Sequence, residues 1–294
     1  MISIIICSRT NTIDTDLRSN IEATIGVVYE IICIDNSKNQ YNIFQAYNIG
    51  ISKSVYSVVC FMHDDVRFHT KKWGHKIINH LKGPEVGLIG VGGPRFLSCI
   101  PGIWWGGGIF SQPSDMICQY NIDTDRNDIE QSHMIRIQPI PENKIEVAAL
   151  DGLFLCSKKN VFQNISFDEE TYHDFHFYDL DISLQIKSCG YKIYCIYDVL
   201  VEHISASNIN MKWISSSRIF YDKWKRTLPV CIYDVSEKEK TAIEYSHVKI
   251  MLRLLAQNGW KNLFSFYTIK EILFIPYFYY RYYWLRMSNF LHKK

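Results

Sequence analysis

The sequence predicts an α/β protein: a mostly parallel sheet flanked by helices, followed by a helical C-terminal tail. Three observations predict it. Apolar runs alternate with amphipathic or turn-rich segments over the first 65 residues, the pattern of strands joined by crossover helices. Polar or acidic residues close each apolar run, as they do where parallel strands end at a ligand-binding edge. Past residue 229 the pattern changes to a longer helical period.

Taken in order, a first strand over residues 2–7 ends in Cys7, Ser8 and Arg9, and a helix over 14–25 follows. A second strand over 30–35 closes on Asp35, a helix covers 41–52, and a third strand over 56–63 leads into His63, Asp64 and Asp65. Residues 83–108 are glycine-rich around Trp104 and Trp105. That reads either as close backbone approach to a ligand or as bulged strands with a turn. Residues 113–143 are polar and carry Asp123, Asp125, Asp128 and Glu130, so a mobile surface loop is expected there. Strands resume over 145–150 and 153–156, a helix over 179–188 is stopped by Gly190 as a left-handed cap, and a strand follows over 191–197. A boundary near Leu228 divides a domain, 1–228, from an extension, 229–294, that opens with a helix over about 237–258.

Composition narrows the function classes. A chain of 294 residues that is 47% hydrophobic and 21% charged can bury a full core, which excludes disordered and fibrous classes. Its net charge of +2 offers no global basic field, which argues against a nucleic-acid partner held by counterion release. Nine cysteines without a CxxC pair read as buried, reduced thiols of a cytoplasmic protein. The opening run 2–7 is too brief for an export signal or a membrane span. No GxSxG, no GxxxxGK[ST] and no zinc-type Cys/His spacing occurs, so hydrolase-triad, P-loop and zinc readings fail.

The chemistry gathers after the apolar runs. Adjacent carboxylates at a sheet's ligand edge are costly unless a cation or donors neutralise them, and hard oxygen ligands suit Mg²⁺ or Mn²⁺. An isolated Asp64-Asp65 pair is more often a cap or a solvated turn, so the pair gains weight from Asp35, Asn48 and Gly50 nearby. With these residues the sequence resembles glycosyltransferase family 2, the GT-A type nucleotide-sugar transferases. Residues 2–9 are similar to the family's opening strand and base-binding turn, and 30–37 to its second strand with Asp35 at the acidic end. Residues 46–50 match its arginine-asparagine-x-glycine helix with Tyr47 in the arginine's place, and 59–65 fall where it carries its Asp-x-Asp metal motif. Further on, Asp151 and Gly152 open a segment similar to the acceptor-side strand, and 167–169 resemble the phenylalanine-aspartate-glutamate turn. Residues 177–184, followed by 189–193, are close to the glutamate-aspartate-x-aspartate-leucine helix with its trailing glycine-tyrosine-lysine. The matches run in order over about residues 2–228.

The resemblance implies a Rossmann-like GT-A fold and an inverting, metal-dependent transfer of a sugar from a nucleoside diphosphate, a UDP-sugar favoured, to a hydroxyl of a glycan or lipid-linked acceptor. Asp65 becomes the main ligand of Mn²⁺ or Mg²⁺, and Asp64 holds the ribose or assists the metal. Asp35 takes the base or ribose, Cys7, Ser8 and Arg9 close over the base, and Asn48 lies on the nucleotide side. Asp179 is the base that removes the acceptor's proton, with Asp181 its rival because the two face different directions on a helix. His63 replaces the motif's first aspartate and Tyr178 the glutamate before the base; a histidine can ligate a metal, though it lowers the site's negative charge. His203 is either a second metal ligand or a turn histidine. Trp104 or Trp105 either stacks on an acceptor sugar or fills core, and at most one of them faces the site if the segment is a strand.

Two further readings compete. A sugar-phosphate nucleotidyltransferase would need a glycine-rich loop, which residues 7–11 lack. A non-catalytic nucleotide- or glycan-binding partner of a membrane-associated assembly is motivated by His63 and Tyr178. Splitting the chain at residue 258 places 13 of its 42 aromatics and a charge of +5 in the last 36 residues, leaving −3 for the rest. Pro276, Arg281 and Arg286 interrupt this tail, which fits the headgroup region of an anionic inner leaflet or packing on the domain or on a second subunit of a homodimer.

Overall fold

The structure is a computed structural model that describes residues 1–99, 117–125, 128–136, 143–205 and 209–257. Trp104, Trp105 and the tail beyond Gln257 lie outside the described residues. The described elements group into two compact units, residues 1–94 with 118–207 and residues 95–117 with 208–294.

The first unit opens as the pattern predicts. Strand β1 (Ile2–Ser8), helix α1 (Thr15–Ile25), β2 (Tyr29–Asp35), α2 (Ile43–Lys53) and β3 (Val58–Met62) follow in turn. Next come β4 (Val66–Phe68), α3 (Trp73–His80), β5 (Val86–Gly90) and β6 (Gly92–Pro94). Local chemistry sets the helix ends. The Asp14 carboxylate accepts from Asp16 N and Leu17 N to start α1, and Gly26 closes it at φ 73°. Asn42 and Gln45 form a reciprocal capping box on α2.

After β7 (Phe96–Leu97), which belongs to the second unit, the chain departs from expectation. Where a mobile loop was expected over 113–143, β8 (Ile117–Asp125) pairs antiparallel with β9 (Asp128–Arg136). The acidic residues that suggest a loop sit on a strand whose other positions, Cys118, Asn121 and Thr124, are buried. Then come β10 (Lys144–Glu146), β11 (Phe154–Lys158), α4 (Tyr178–Ser188), β12 (Lys192–Ile196) and β13 (Val201–Ser205). The strand expected over 145–150 is confined to its first residues.

The main sheet has the order β10-β12-β5-β11-β3-β1-β2. Strands β2, β1 and β3 are parallel, β11 runs against β3 and β5, and β12 is parallel to β5 but antiparallel to β10. Five strands therefore share one direction, giving the mostly parallel α/β sheet the sequence predicts. Side-chain alternation along β1 divides its faces. Ile2, Ile4 and Ile6 pack with Leu17, Ile21 and Ile25 of α1 and Trp73 and Ile77 of α3. Ile5 points the other way, toward Gly50 of α2, and Phe44 and Tyr47 of α2 meet Tyr178 of α4 on that side. A Cβ at Gly50 would run into the Ile5 side chain. Gly50→Ala is thus expected to cost about 1–3 kcal/mol by overpacking, read as a lowered urea midpoint at unchanged slope.

A second sheet, in the order β4-β13-β8-β6 with β9 beside β8, adjoins the turn between β3 and β4. Cys60 and Cys156 stand opposite each other on β3 and β11, Cα atoms 4.2 Å apart, and are joined as a disulfide. This corrects the reading of nine reduced thiols; of the seven free cysteines, Cys99, Cys118 and Cys195 are buried and Cys189 is exposed. In the second unit, β14 (Val230–Cys231) pairs antiparallel with β7, and the helices α5 (Met211–Trp224) and α6 (Glu237–Gln257) belong to it as well. The Glu244 carboxylate of α6 accepts from Ser98 Oγ at 2.6 Å and Cys99 N at 2.9 Å. Among the described residues no helix is long and apolar enough to cross a membrane.

Candidate active site

The turn His63-Asp64-Asp65 joins β3 of the main sheet to β4 of the second sheet. His203, 138 residues beyond Asp65 in sequence, arrives because β13 pairs antiparallel with β4, placing His203 opposite Val66. Ile204 N donates to Asp65 O at 2.9 Å and fixes that register. The result is a cluster of three donor atoms: His63 Nδ1, Asp65 Oδ1 and His203 Nε2. Their separations are 3.4 Å between the histidines, 3.5 Å from His203 to Asp65 and 3.8 Å from His63 to Asp65. A point equidistant from three atoms so spaced lies about 2 Å from each, the bond length of a hard divalent cation to its ligands. Two imidazoles and one carboxylate are ligands that Mn²⁺ accepts, so the donor set fits the expected metal.

Electrostatics agree with that fit. Burial and the neighbouring His203 lower the His63 pKa and keep its ring neutral. Burial alone would also lower His203, but Asp123 and Asp65 outweigh it and raise the group to about 9. Asp65 is desolvated, which works against its charge, yet His203, His63 and Arg9 hold it down at about 2. In the absence of a cation the His203 proton sits where the cation would, so metal binding here releases a proton. Behind His203, Asp123 Oδ1 lies 3.8 Å from Nδ1, the arrangement that orients an imidazole ligand from the side away from the metal. Asp123 was read as a loop residue; only the parallel pairing of β8 with β13, which sets His203 beside Asp123, reveals its place.

Arg9, just past the end of β1, grips the neighbouring carboxylate. Its Nη2 lies 2.5 Å from Asp64 Oδ1 and 3.2 Å from Asp65 Oδ2, while its Nε and its backbone N donate to Asp64 Oδ2. The Asp64 hydrogen bond raises the guanidinium's pKa further, so it stays charged. On the other side of the turn, Asp179 at the start of α4 accepts from Gly152 N at 3.0 Å and Leu180 N at 2.9 Å. Burial first and the Asp151 charge second push its carboxyl up to about 7, against these backbone donors. A carboxyl held there can take a proton at neutral pH.

A family model described as a glycosyltransferase-like family matches residues 3–245. The chain belongs to that family. Among solved structures the chain is similar to GalNAc-T7 crystallised with UDP, GalNAc and Mn²⁺, at 14% identity and TM-score 0.47, over 92% of this chain and 58% of that one. It thus spans less than two thirds of that protein's length. It is also similar to the mannosyltransferase PcManGT from Pyrobaculum calidifontis in complex with GDP-Man and Mn²⁺, at 10% identity and TM-score 0.45, over 100% and 88% of the two chains. A third, A197 from STIV, aligns at 11% identity and TM-score 0.40 over 70% and 86%. A search of curated proteins returns no match.

The other residues expected at the site fall in different places. Ser8 and Asp35 are register partners at the ends of β1 and β2. Asp35 is exposed, and hydrogen bonds from the Ser37 hydroxyl and then from Ser37 N lower its pKa. Cys7 is half-buried and burial pushes its thiol up to about 11, so it offers a neutral surface. Asp151 Oδ1 accepts from Leu153 N and its charge bears on Asp179. Two residues do not join the cluster. Asn48 donates to Phe167 O and Glu169 Oε2 and accepts from Phe167 N, so it clamps the 167–169 turn to α2. Asp181 is fully buried and accepts from Tyr172 Oη and Gln185 Nε2, which turns it into the core rather than toward Gly152. Tyr178, noted in the sequence only as a departure, contacts His63 directly.

Proposed function

We propose that this glycosyltransferase moves a sugar from a nucleoside diphosphate, a UDP-sugar favoured, to a hydroxyl of a glycan or lipid-linked acceptor with inversion at the anomeric carbon. The observation that carries the reading is a three-donor metal cluster at the start of α4, where Tyr178 contacts His63 and the next residue, Asp179, accepts from Gly152 N. Asp65, His203 and His63 would hold Mn²⁺ or Mg²⁺, which when bound supplies positive charge to the diphosphate leaving group. Arg9 and Asp64 form the wall beside the donor, with Cys7, Ser8 and Asp35 toward the base. Asp179 takes the acceptor hydroxyl's proton as the oxygen attacks the anomeric carbon from the face opposite the diphosphate. The bond from that carbon to the diphosphate breaks, and the nucleoside diphosphate leaves with the electron pair. A single displacement of this kind inverts the centre. Trp104 or Trp105 is assigned to the acceptor, and the basic aromatic tail to an anionic membrane surface where a lipid-linked acceptor resides; sequence alone supports these two assignments.

Thermal unfolding with UDP, GDP and dTDP, each with and without Mn²⁺, tests the reading. At 100-fold saturation one diphosphate should raise Tm by about 5–10 °C, and only with the metal present. No stabilisation by any diphosphate, together with no transfer from a panel of sugar nucleotides, would sink it. The anomeric configuration of the product decides between inversion and retention.

A further inference from the structure

Three positions at which the sequence departs from the motifs it resembles meet in one place, where Tyr47 and Tyr178 are buried and His63 is partly exposed. Tyr47 occupies the arginine position, His63 the first aspartate position and Tyr178 the glutamate position. The rings of Tyr47 and Tyr178 lie edge to face with centroids 5.5 Å apart, and Tyr178 Oη is 2.8 Å from His63 Nε2. All three side chains pack and hydrogen-bond there without carrying charge.

Besides His63, the Tyr178 hydroxyl meets the Tyr47 hydroxyl and Gly152 O, and either can take its hydrogen and leave its oxygen to accept from His63. The Tyr178 hydroxyl has a single hydrogen, and Gly152 O, 3.1 Å away, can only accept. Gly152 is buried, so its carbonyl needs that donor. With the phenolic hydrogen directed there, the phenol oxygen accepts from His63, and the imidazole proton must sit on Nε2. Nδ1 then carries a lone pair, and it is Nδ1 that faces His203 Nε2 at 3.4 Å and Asp65 Oδ1 at 3.8 Å. The surroundings hold the phenol in place. A Cβ on Gly152 would overlap Tyr178 Oη, and the ring is walled by Phe44, Tyr47 and Phe167.

We propose that Tyr178 is a positioning residue: through its hydroxyl it holds His63 as the Nε2–H tautomer and so presents Nδ1 to the metal cluster as a ligand. This deepens the metal reading above and rests on it for the use of Nδ1, but the tautomer is a property of the metal-free chain. It also explains how a histidine can stand in the first position of an acidic metal motif. A neutral imidazole coordinates only through the nitrogen without a proton, and an outer partner that fixes that nitrogen typically changes metal affinity 10- to 100-fold.

Two measurements on the full chain test it. Imidazole ¹⁵N NMR of the metal-free protein, with His63 assigned by its loss in His63→Asn, should show the Nε2–H tautomer, and Tyr178→Phe should show the Nδ1–H form or a mixture. Mn²⁺ titration followed by the electron paramagnetic resonance of the free ion should show affinity about 10- to 100-fold weaker in Tyr178→Phe at an unchanged unfolding transition. A wild-type His63 protonated on Nδ1 overturns the proposal, as does a folded Tyr178→Phe with the wild-type tautomer and Mn²⁺ affinity. If the wild type shows the Nε2–H tautomer and takes up no Mn²⁺, the metal reading fails while Tyr178's positioning role stands. Should Tyr178→Phe not fold, the wild-type spectrum decides.

Discussion

Asp179→Asn is expected to lower kcat by about 10²- to 10⁴-fold, the range for loss of a general base, while the nucleoside diphosphate still binds with metal. The carboxyl accepts from Gly152 N and is not one of the three metal donors, so binding and chemistry separate in this variant. The wild-type rate should follow the ionised fraction of Asp179. With the group raised to about 7, activity rises with pH through neutrality and levels off above it, and the Asn variant loses that limb. Stability should move the other way. A carboxyl whose pKa is raised in the folded chain is comfortable while protonated; as pH climbs from the ordinary carboxylate range to about 7, the fold must hold a charge that burial and Asp151 oppose. Asp179→Asn removes that charge and should melt higher than wild type at pH 8, with the difference shrinking toward pH 4. A variant that loses activity but melts lower at pH 8 would assign Asp179 a structural role in place of a chemical one.

That pair of aspartates shows where sequence reading stops. Asp179 and Asp181 are indistinguishable as letters in a motif, and only packing separates them. The helix turns one toward the sheet edge and the other into Tyr172 and Gln185. The opening strands and helices were legible because their signals are local: alternation along β1, a capping box on α2, a carboxylate ending β2. Strand β8 was not, since its acidic residues carry the composition of a loop and its partners β13 and β9 are not apparent from its own pattern. The same non-local pairing hid Asp123 behind His203, and the Cys60–Cys156 pair spans 96 residues of sequence. His63 and Tyr178 each looked like a weakened motif when read singly. Their hydrogen bond joins the two positions across 115 residues of sequence, a contact that a single sequence cannot display.

Asp65→Ala is the variant expected to do most damage to metal use. Asp65 supplies the one carboxylate among the three donors, and the remaining two imidazoles bring no negative charge to a hard cation. Mn²⁺ affinity should therefore fall below detection. If the metal's share of transition-state stabilisation is several kcal/mol, turnover should fall by about 10³-fold or more. Asp64→Ala provides the contrast. Asp64 is held by Arg9 on three of that residue's donors and is not among the metal-facing atoms, so its loss should raise KM for the sugar nucleotide and leave Mn²⁺ affinity near the wild-type value. Calorimetric titration of Mn²⁺ into both variants, followed by nucleotide titration with and without the ion, separates the roles. Equal loss of Mn²⁺ binding in the two would mean that the adjacent carboxylates act together on the ion, and that Arg9 marks the place of a second positive charge rather than the donor wall.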